Sequence, residues 1–417
     1  MLTNLYPPHY LGGYELICQA VVNALRSRGH SVFILTSNHT IDTARGLPET
    51  FGIERSLRLH GFYGHPWLGI RKLAALEAWN NRRLLRVLEE VRPDLVYVWN
   101  MGGLSKSMLL TLQHRGLPTV YYLSDHWIAR GLPADVWLRW WNRSDAPARH
   151  RLVRQAASLL GMRRRWQKVA PTNPPGHIRF QRIYFCSRAL RQAAVAAGFA
   201  VSHAAIIYCP VDVQKFFGEP KPSSQPVRRL LFVGRLAADK GVMTALRAMA
   251  CLGETEKLHL NLYGRGEPGY ENQLRSFAMA HRLRVEFHCT TQAEMPRIYR
   301  EHDVLIFPSE WEEPFALTPL EAMACGLPVV ATTTGGSAEL FRHEENALTF
   351  KAGDFEELAH RIRQMVSQHS LRARVASTGF CEVRQRFSEP VIVDQIEHYL
   401  RETLLTWKPA PLPPLNA

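Results

Sequence analysis

The chain has few acidic residues, no closely spaced cysteines and no long apolar run, and each shortage excludes a class of protein. Seven cysteines lie scattered over 417 residues, which argues against a close metal-ligand pair and favours reduced thiols in the cytoplasm. No apolar run approaches the roughly 18 residues that span a bilayer. No hydrophobic signal-peptide region follows the first residues. We therefore expect a cytoplasmic protein without a membrane-spanning helix.

An Asp-x-Asp element is also absent from the sequence. Two carboxylates at that spacing suit a divalent cation held against a diphosphate, so their absence argues against a metal-clamped phosphate site. We expect neither a cofactor nor a required metal ion.

The segment Trp311 to Gly326 carries the strongest functional pattern that is present, with two carboxylates eight positions apart at Glu313 and Glu321. Before it, Val304 to Phe307 predicts a short buried strand. Thr318 and Pro319 then predict the N-cap and the first position of a helix, which Gly326 would close.

The start of that helix predicts an anion site beside hydroxyl-binding groups. Amides near Phe315, Ala316 and Leu317 would point into the loop, where the helix dipole also favours an anion. Glu313 in the loop and Glu321 in the first turn would repel a phosphate, so their sensible partners are hydroxyl groups. A ribose and a hexose supply such hydroxyls, and together these features indicate a nucleotide sugar.

Each glutamate also has a purely structural interpretation. Thr318 and Glu321 match a capping box, in which the glutamate only ties the helix start together. Glu313, taken alone, is typical of a solvated loop acid. The functional interpretation gains from the rest of this half of the chain, where phosphate-binding elements recur in order.

The second half of the chain predicts a parallel sheet with helical crossovers. Its predicted strands are Leu230 to Val233, Leu258 to Tyr263, Val285 to His288, Val304 to Phe307 and Val329 to Ala331. Its predicted helices are Val242 to Leu252, Tyr270 to His281 and Gln292 to Glu301. Ligands of such sheets bind at the carboxyl ends of the strands.

Three of those strand ends carry suggestive loops. Gly234 and Arg235 follow the first strand, and Lys240 lies five residues beyond Arg235, so both cations could reach one diphosphate. Gly264 follows the second strand, although glycines also commonly just make turns. The acidic loop with Glu313 is the third.

These motifs resemble glycosyltransferase family 4, the group 1 glycosyltransferases. The resemblance rests on Val233 to Leu236 with Lys240 and Gly241, on Glu313 and Glu321 with the residues to Ala331, on Gly335 and Gly336 followed by Glu339, and on Tyr6 to Gly13. It implies an α/β chain of the GT-B fold, with two Rossmann-like domains whose parallel sheets face each other across a cleft.

The resemblance also implies an activity and the roles of the residues that match the motifs. Similar enzymes move a sugar from a nucleotide-sugar donor to an acceptor hydroxyl with retention of anomeric configuration, commonly in polysaccharide or glycolipid biosynthesis. Arg235 and Lys240 would neutralise the departing diphosphate. Glu313 would hold sugar hydroxyls and Glu321 the ribose hydroxyls. The acceptor would be a carbohydrate or a lipid-linked molecule.

The domain organisation follows from the same comparison and from composition. We predict an N-terminal, acceptor-binding Rossmann-like domain at 1–212, a Pro/Ser-rich linker at 213–227 and a nucleotide-sugar-binding domain at 228–385. A helix at 386–407 would return to the first domain, and 408–417 would be a disordered tail.

The amino-terminal half contains weaker candidates. Only Leu2, Thr3, Asn4 and Leu5 stand between Met1 and the glycine loop, so the first strand is either very short or clipped. Gly12 and Gly13 either let backbone approach a bound phosphate or acceptor, or form a structural turn. Asp125 and His126 follow the predicted strand Thr119 to Leu123 and are cleft candidates. Ser124 stands where many family members have a histidine, which leaves a transferred role for His126 insecure.

The net charge of +14 suggests a further partner. Basic residues and tryptophans mix between Arg139 and Arg182, which suits an anionic membrane surface at the inner face of the membrane. A solvated basic face with tryptophans in the core is the structural alternative. Nucleic-acid binding is the disfavoured one. A sugar-binding protein that keeps the fold without turnover remains a further alternative.

Overall fold

The computed structural model describes residues 1–41, 52–145, 148–253 and 257–409, which form two compact units. Unit 1 comprises Met1–Cys186, Leu190–Ile207 and a last segment that begins at Val393. Unit 2 comprises Ser187–Ala189 and Tyr208–Ile392. Among the described residues, no helix combines the length and the apolarity that a bilayer crossing requires.

Both units contain helices and strands. Up to residue 207 the elements are α1 Gly13–Ser27, β1 Ile34–Ser37, β2 Ile53–Leu57, α2 Ile70–Val91, β3 Val96–Val98, α3 Ser107–Arg115, β4 Thr119–Leu123, α4 Val136–Asn142, α5 Ala148–Leu159, α6 Met162–Val169, β5 Arg182–Phe185, α7 Arg188–Ala196 and β6 Ala205–Ile206. Beyond it they are β7 Arg229–Val233, α8 Val242–Leu252, β8 His259–Tyr263, α9 Pro268–Ala280, β9 Val285–His288, α10 Met295–Glu301, β10 Val304–Phe307, α11 Leu317–Ala324, β11 Val329–Thr332, β12 Leu348–Phe350, α12 Phe355–Ser367, α13 His369–Arg386 and α14 Glu389–Thr406.

The strands of unit 1 are parallel. β1 pairs with β2, while β3, β4, β5 and β6 form a four-stranded sheet in that order. Leu2 joins the two groups, because it bridges in parallel to Leu35 of β1 and to Val98 of β3.

Unit 2 holds one parallel sheet in the order β12-β11-β10-β7-β8-β9. Apolar residues on both faces of its strands are buried under helices, as the apolar runs of a parallel sheet predict. β7 and β10 are neighbours at its centre, with Leu230 opposite Val304. The loops after Val233 and Phe307 therefore leave the sheet side by side.

The structure confirms most of the predicted elements of unit 2 and corrects the start of α11. That helix begins at Leu317 with Ala316 as its N-cap, and no side chain caps it. Thr318 and Pro319 thus lie inside the first turn, so the prediction that Thr318 is the N-cap was wrong. The capping-box interpretation of Glu321 fails with it, because the Glu321 carboxylate accepts hydrogen bonds from Tyr299 and Gln292 instead.

Other elements differ from what the sequence predicts, because strand pairing and helix burial depend on residues that are far away in sequence. The strand after α1 lies at Ile34–Ser37, where β2 supplies a parallel partner. The helix α13 was not predicted, since it buries polar side chains as well as apolar ones. Arg372 and Glu382 are both nearly fully buried in it, and hydrogen bonds satisfy them. The predicted tail at 408–417 lies mostly outside the described residues.

A substitution at Gly241 tests the close backbone approach between the loops that follow β7 and β10. Gly241 has φ +66°, and a Cβ there would lie 1.9 Å from the Pro308 carbonyl oxygen. We expect Gly241→Ala to lower the free energy of unfolding by more than the about 1–2 kcal/mol of left-handed strain alone. Gly353→Ala is the matched control, because Gly353 has φ +80° and open space around its Cβ position. Urea unfolding measures both, and equal losses would contradict the packing argument.

Candidate functional site

A cavity of about 200 Å³ lies where the loops after β7 and β10 meet the start of α11 in unit 2. Three stretches of chain line it. They are Phe232 to Gly234 with Lys240, Phe307 to Ser309 with Glu313, and Phe315 to Thr318. The cavity therefore lies at the carboxyl ends of the two central strands, where ligands of parallel sheets bind.

An ion pair between Lys240 and Glu313 stands in this cavity. Lys240 Nζ donates to Glu313 Oε1 at 2.5 Å, and the two side chains are only 18% and 12% exposed. Ser309 Oγ donates to the same Glu313 oxygen at 2.7 Å. One cation and one carboxylate, far apart in sequence, thus meet in a partly desolvated hollow.

Backbone packing holds the acidic loop in place. The Gly336 amide donates to the Glu313 carbonyl at 2.6 Å, and a Cβ at Gly336 would lie 1.9 Å from the Pro314 carbonyl oxygen. Only a glycine allows this approach. The sequence contained the pattern, since Gly335 and Gly336 were among the motif residues, but it did not show that they brace Glu313.

The amino end of α11 faces the cavity without a side-chain cap. Phe315, Ala316 and Leu317, the predicted donors of anion-binding amides, all line it. Uncapped amides at a helix start, together with a lysine, make an environment for an anion. Phe315 is itself buried against Tyr208 and Phe387, with ring centroids at 5.2 and 5.9 Å, which fixes the entry to the helix.

Arg235 does not join Lys240 in the cavity. Its side chain is 68% exposed and lies 3.3 Å from the Asp239 carboxylate. It lines a separate, more open depression of about 510 Å³, together with Arg265 and Tyr270. Its neighbour Gly234 lines the cavity with Lys240, whereas Arg235 does not. The predicted convergence of the two cations is therefore not present in this arrangement of side chains.

Glu321 lies one turn into α11 and outside the lining of the cavity. Tyr299 Oη donates to Glu321 Oε2 at 2.7 Å, and Gln292 Nε2 donates to Oε1 at 3.2 Å. Burial raises the pKa of the Glu321 carboxyl to about 7, against the opposing effect of those two hydrogen bonds. The carboxylate is therefore oriented by Tyr299 and Gln292, and no motif in the sequence indicated these two partners.

Gly264 lies at the end of β8, next to β7. A Cβ at Gly264 would lie 1.8 Å from the Gly234 carbonyl oxygen. The two glycines therefore allow close backbone approach between neighbouring strand ends.

The remaining candidates lie in unit 1. Gly12 and Gly13 begin α1, where the Gly12 amide donates to Glu15 Oε2 at 3.0 Å. Asp125 accepts from the Trp127 amide at 2.9 Å, and burial raises the pKa of its carboxyl to about 6. His126 precedes a short helical turn at Trp127–Gly131. Glu15, buried at the glycine loop, was not predicted.

Metal ligands do not cluster in the part of the chain that the structure describes. There, no group of three or more histidine, cysteine, aspartate or glutamate side chains is placed to hold a metal ion. All seven cysteines are free thiols, of which four are buried.

Two family models match the chain, one over each half. The model for glycosyl transferases group 1 matches residues 214–380, and the model for glycosyltransferase family 4 matches residues 11–215. Together they extend over most of the chain and confirm the resemblance inferred from its motifs.

Most of the curated relatives match only a part of this chain. A lipopolysaccharide core biosynthesis glycosyltransferase of Rhizobium meliloti is 32% identical over 173 residues, which are 42% of this chain and 49% of the relative. A sulfoquinovosyl transferase of Arabidopsis thaliana is 23% identical over 382 residues, which are 88% of this chain and 66% of the relative. The chain spans about half the length of most of the curated relatives it matches.

A solved structure shares the fold along nearly the whole chain. The Anabaena protein HepE in complex with UDP superposes with a TM-score of 0.67 at 21% identity, over 96% of this chain and 99% of that one. A second structure of HepE holds UDP-glucose. This likeness confirms the predicted GT-B fold.

A double-mutant cycle tests the ion pair in the cavity. We expect Lys240→Met to lower the free energy of unfolding by about 1–2 kcal/mol, because it leaves a half-buried carboxylate without its cation. Adding Glu313→Gln should restore most of the loss, since both charges are then gone. Urea unfolding of the four proteins measures the coupling. Strictly additive losses would show that the two side chains do not interact.

Proposed function

The chain belongs to glycosyltransferase family 4, the group 1 glycosyltransferases, and from this premise we propose that it transfers a sugar from a nucleotide-sugar donor to an acceptor hydroxyl with retention of configuration. The observation that supports the proposal most is the cavity in unit 2, where Lys240, Glu313 and the uncapped start of α11 meet. The same family membership disfavours a nucleic-acid-binding role.

The cavity suits the diphosphate of such a donor. A diphosphate would take hydrogen bonds from Lys240 Nζ and from the amides at the start of α11, while Gly234 adds no side chain that would block it. Binding would pull Lys240 partly away from Glu313. The freed Glu313 carboxylate would then accept hydrogen bonds from hydroxyls of the donor sugar.

In this proposal Glu321 binds the ribose of the donor, and Arg235 supplies a second cation for the diphosphate. Glu321, held by Tyr299 and Gln292, presents a carboxylate for two adjacent hydroxyls. Arg235 would swing from Asp239 to the diphosphate, which its exposed position allows. HepE binds UDP and UDP-glucose in its structures, so uridine donors are the first to test.

Charge on the leaving group governs the proposed step. The bond between the anomeric carbon and the phosphate oxygen breaks, and negative charge develops on the diphosphate. The acceptor oxygen attacks from the same face and passes its proton to that phosphate oxygen. Lys240 and the helix amides stabilise the developing charge, the electrostatic effect that is usually the largest in catalysis. No metal ion is needed in this scheme, which accords with the absence of Asp-x-Asp.

The acceptor would bind to unit 1. Gly12 and Gly13 stay candidates for backbone approach to a phosphate or acceptor, and Asp125 and His126 stay candidates for the catalytic cleft. A carbohydrate or lipid-linked hydroxyl in polysaccharide or glycolipid biosynthesis is the proposed substrate. With its raised pKa, Asp125 changes protonation state near neutral pH.

Nucleotide release tests the proposed reaction. UDP, GDP and ADP sugars are screened first for thermal stabilisation, and release of nucleotide is then measured with the stabilising donor. We expect Lys240→Ala to lower turnover at least about 100-fold, and Lys351→Ala, at an exposed lysine of the same unit, to leave it unchanged. Donor binding without release by the unmodified protein would instead support a sugar-binding protein. Unchanged turnover in Lys240→Ala would refute the role of the lysine.

A second proposal concerns a membrane surface, and it rests on exposed aliphatic side chains rather than on the tryptophans. Trp137 and Trp141 are buried and pack against each other at 5.8 Å, and Trp137 also contacts Trp166. The tryptophans thus belong to a packed cluster, as the structural alternative held. The exposed apolar side chains lie on and between α5 and α6 instead, at Leu152, Val153, Leu159, Leu160 and Met162.

The charged residues in and after these helices are basic. No acidic residue occurs between Asp145 and Asp212, while arginines and lysines recur through that stretch. Exposed Arg164, Arg165 and Lys168 lie on α6 itself. Apolar side chains beside cations favour an anionic lipid surface, to which each cation contributes about 1 kcal/mol. This supports peripheral attachment of the protein to the inner face of a membrane.

Vesicle sedimentation tests the attachment. The protein should bind vesicles that contain phosphatidylserine and not vesicles of phosphatidylcholine alone. Leu159→Ser with Leu160→Ser should weaken binding about 10-fold or more, whereas Met279→Ser, 80% exposed in unit 2, should not. Equal binding by both variants, or retention on RNA or DNA at matched salt without vesicle binding, would refute the proposal.

A further inference from the structure

Trp67 in unit 1 is a tryptophan that lies largely in solvent. All ten tryptophans of the chain fall within the described residues, and the others are buried or half-buried. Trp67 has 64% of its surface open. Phe62, which precedes it by five residues, is exposed as well, and the two rings contact each other edge-on with centroids 6.1 Å apart. Exposed apolar side chains that form a patch commonly mark a binding site.

The loop that carries both rings lies at the ligand-binding edge of its sheet. This aromatic loop, residues 58–69, follows β2, and β1, β2 and β3 run parallel. His39, which follows β1, contacts His65 of the loop, with His39 Nδ1 and His65 Nε2 3.0 Å apart. The His60 amide donates to the Gly103 carbonyl, beyond β3, at 3.1 Å. The loop therefore lies at the carboxyl ends of parallel strands, where such sheets bind ligands.

Hydrogen bonds and close packing hold the indole of Trp67 in place. Buried Asn4 donates from Nδ2 to Tyr63 Oη at 2.8 Å. The Gly61 amide donates to the Pro66 carbonyl at 3.1 Å, which closes the loop on itself. The indole lies so near to Gly61 that a Cβ there would be 2.5 Å from the ring. The ring is thus positioned before any ligand binds, which lowers the entropic cost of binding.

Polar groups lie beside the exposed rings. One nitrogen of His39 and one of His65 share a hydrogen bond, so the first ring donates and the second accepts, or the reverse. Within the part of the chain that the structure describes, the second nitrogen of each ring makes no hydrogen bond. Both histidines are only half-buried. Each second nitrogen can therefore exchange a hydrogen bond with a hydroxyl group of a ligand.

A pyranose ring suits this combination of groups. One face of a pyranose presents C–H groups that pack on an aromatic ring, and its rim carries hydroxyls for the two histidines. A stable protein partner needs roughly 800 Å² of surface on each side. Two aromatic rings fall short of that area, since each buries about 150–250 Å². A lipid chain would need a continuous apolar surface, whereas here polar side chains lie next to the rings.

We propose that Trp67, together with Phe62, is the stacking platform for a pyranose ring of the acceptor, and that the pair of His39 and His65 binds hydroxyls of the same ring. The inference rests on the proposed sugar transfer, because it describes the acceptor of that reaction. It makes the acceptor a saccharide at the position next to the hydroxyl that receives the sugar. The platform is separate from the cavity that unit 2 forms for the donor.

Titration with methyl pyranosides tests the platform. Saturation-transfer NMR measures binding of the methyl α- and β-pyranosides of glucose, galactose and mannose, with sorbitol as the open-chain control. At least one pyranoside should bind, with the strongest transfer to the C–H protons of one ring face. We expect Trp67→Leu to weaken that binding about 10-fold, and Trp67→Phe to keep most of it because it retains an aromatic face. Binding no stronger than that of sorbitol, or equal binding by Trp67→Leu, would overturn the proposal.

Two glycine variants test the position of the indole without changing its chemistry. Gly61→Ala places a Cβ against the ring of Trp67, so the ring must shift and pyranoside binding should weaken. Gly64→Ala is the matched control, because Gly64 lies in the same loop at φ +80° with open space around its Cβ position. Thermal unfolding midpoints show whether both variants are folded. Equal pyranoside affinities of the two folded variants would contradict the proposal.

Transfer measurements separate this inference from the proposed reaction. With the donor chosen by thermal stabilisation, the pyranoside that binds should act as the acceptor. Trp67→Leu should raise the KM for that acceptor by about the same factor as it weakens binding, with a smaller change in kcat. Nucleotide release without pyranoside binding would overturn the platform and leave the reaction standing. Pyranoside binding at Trp67 without any nucleotide release would refute the reaction, and with it the acceptor role of the site.

Discussion

The parallel pairing of β7 with β10 is the constraint on which the site in unit 2 depends. It places two loops that are about seventy residues apart in sequence side by side at one edge of the sheet. Lys240 comes from the first loop and Glu313 from the second, and they meet at 2.5 Å. The amino end of α11 follows directly from the second loop. One backbone register thus brings a cation, a carboxylate and a helix start into a single cavity.

Glycines allow the close backbone contacts that this strand register requires. Gly241 lies against Pro308, and Gly336 lies against Pro314, in each case at a distance that no side chain would permit. The loops are therefore held by backbone packing, and the polar side chains remain available for a ligand. The partly buried ion pair between Lys240 and Glu313 is the exception, because each of the two charges satisfies the other.

Much of unit 2 could be predicted from the sequence, because its strands are continuous apolar runs and its loops carry motif residues. The identity of Lys240, Glu313 and Glu321 as candidates came from that pattern. The side-chain partners did not, since Ser309, Tyr299 and Gln292 become neighbours only through tertiary packing. The exposed position of the Arg235 side chain could not be predicted either, because its ion pair with Asp239 depends on the conformation of the turn between them. In unit 1 the bridges from Leu2 to β1 and to β3 required coordinates, because they join residues that are far apart in sequence.

The most direct test is a crystal structure of the protein with a nucleoside diphosphate, chosen by its stabilisation of the chain. We expect the terminal phosphate to lie at hydrogen-bond distance, about 3 Å, from Lys240 Nζ and from the amides at the start of α11. Glu321 should accept the ribose hydroxyls in the same crystal. A nucleotide bound elsewhere, with the ion pair between Lys240 and Glu313 unchanged, would contradict the account.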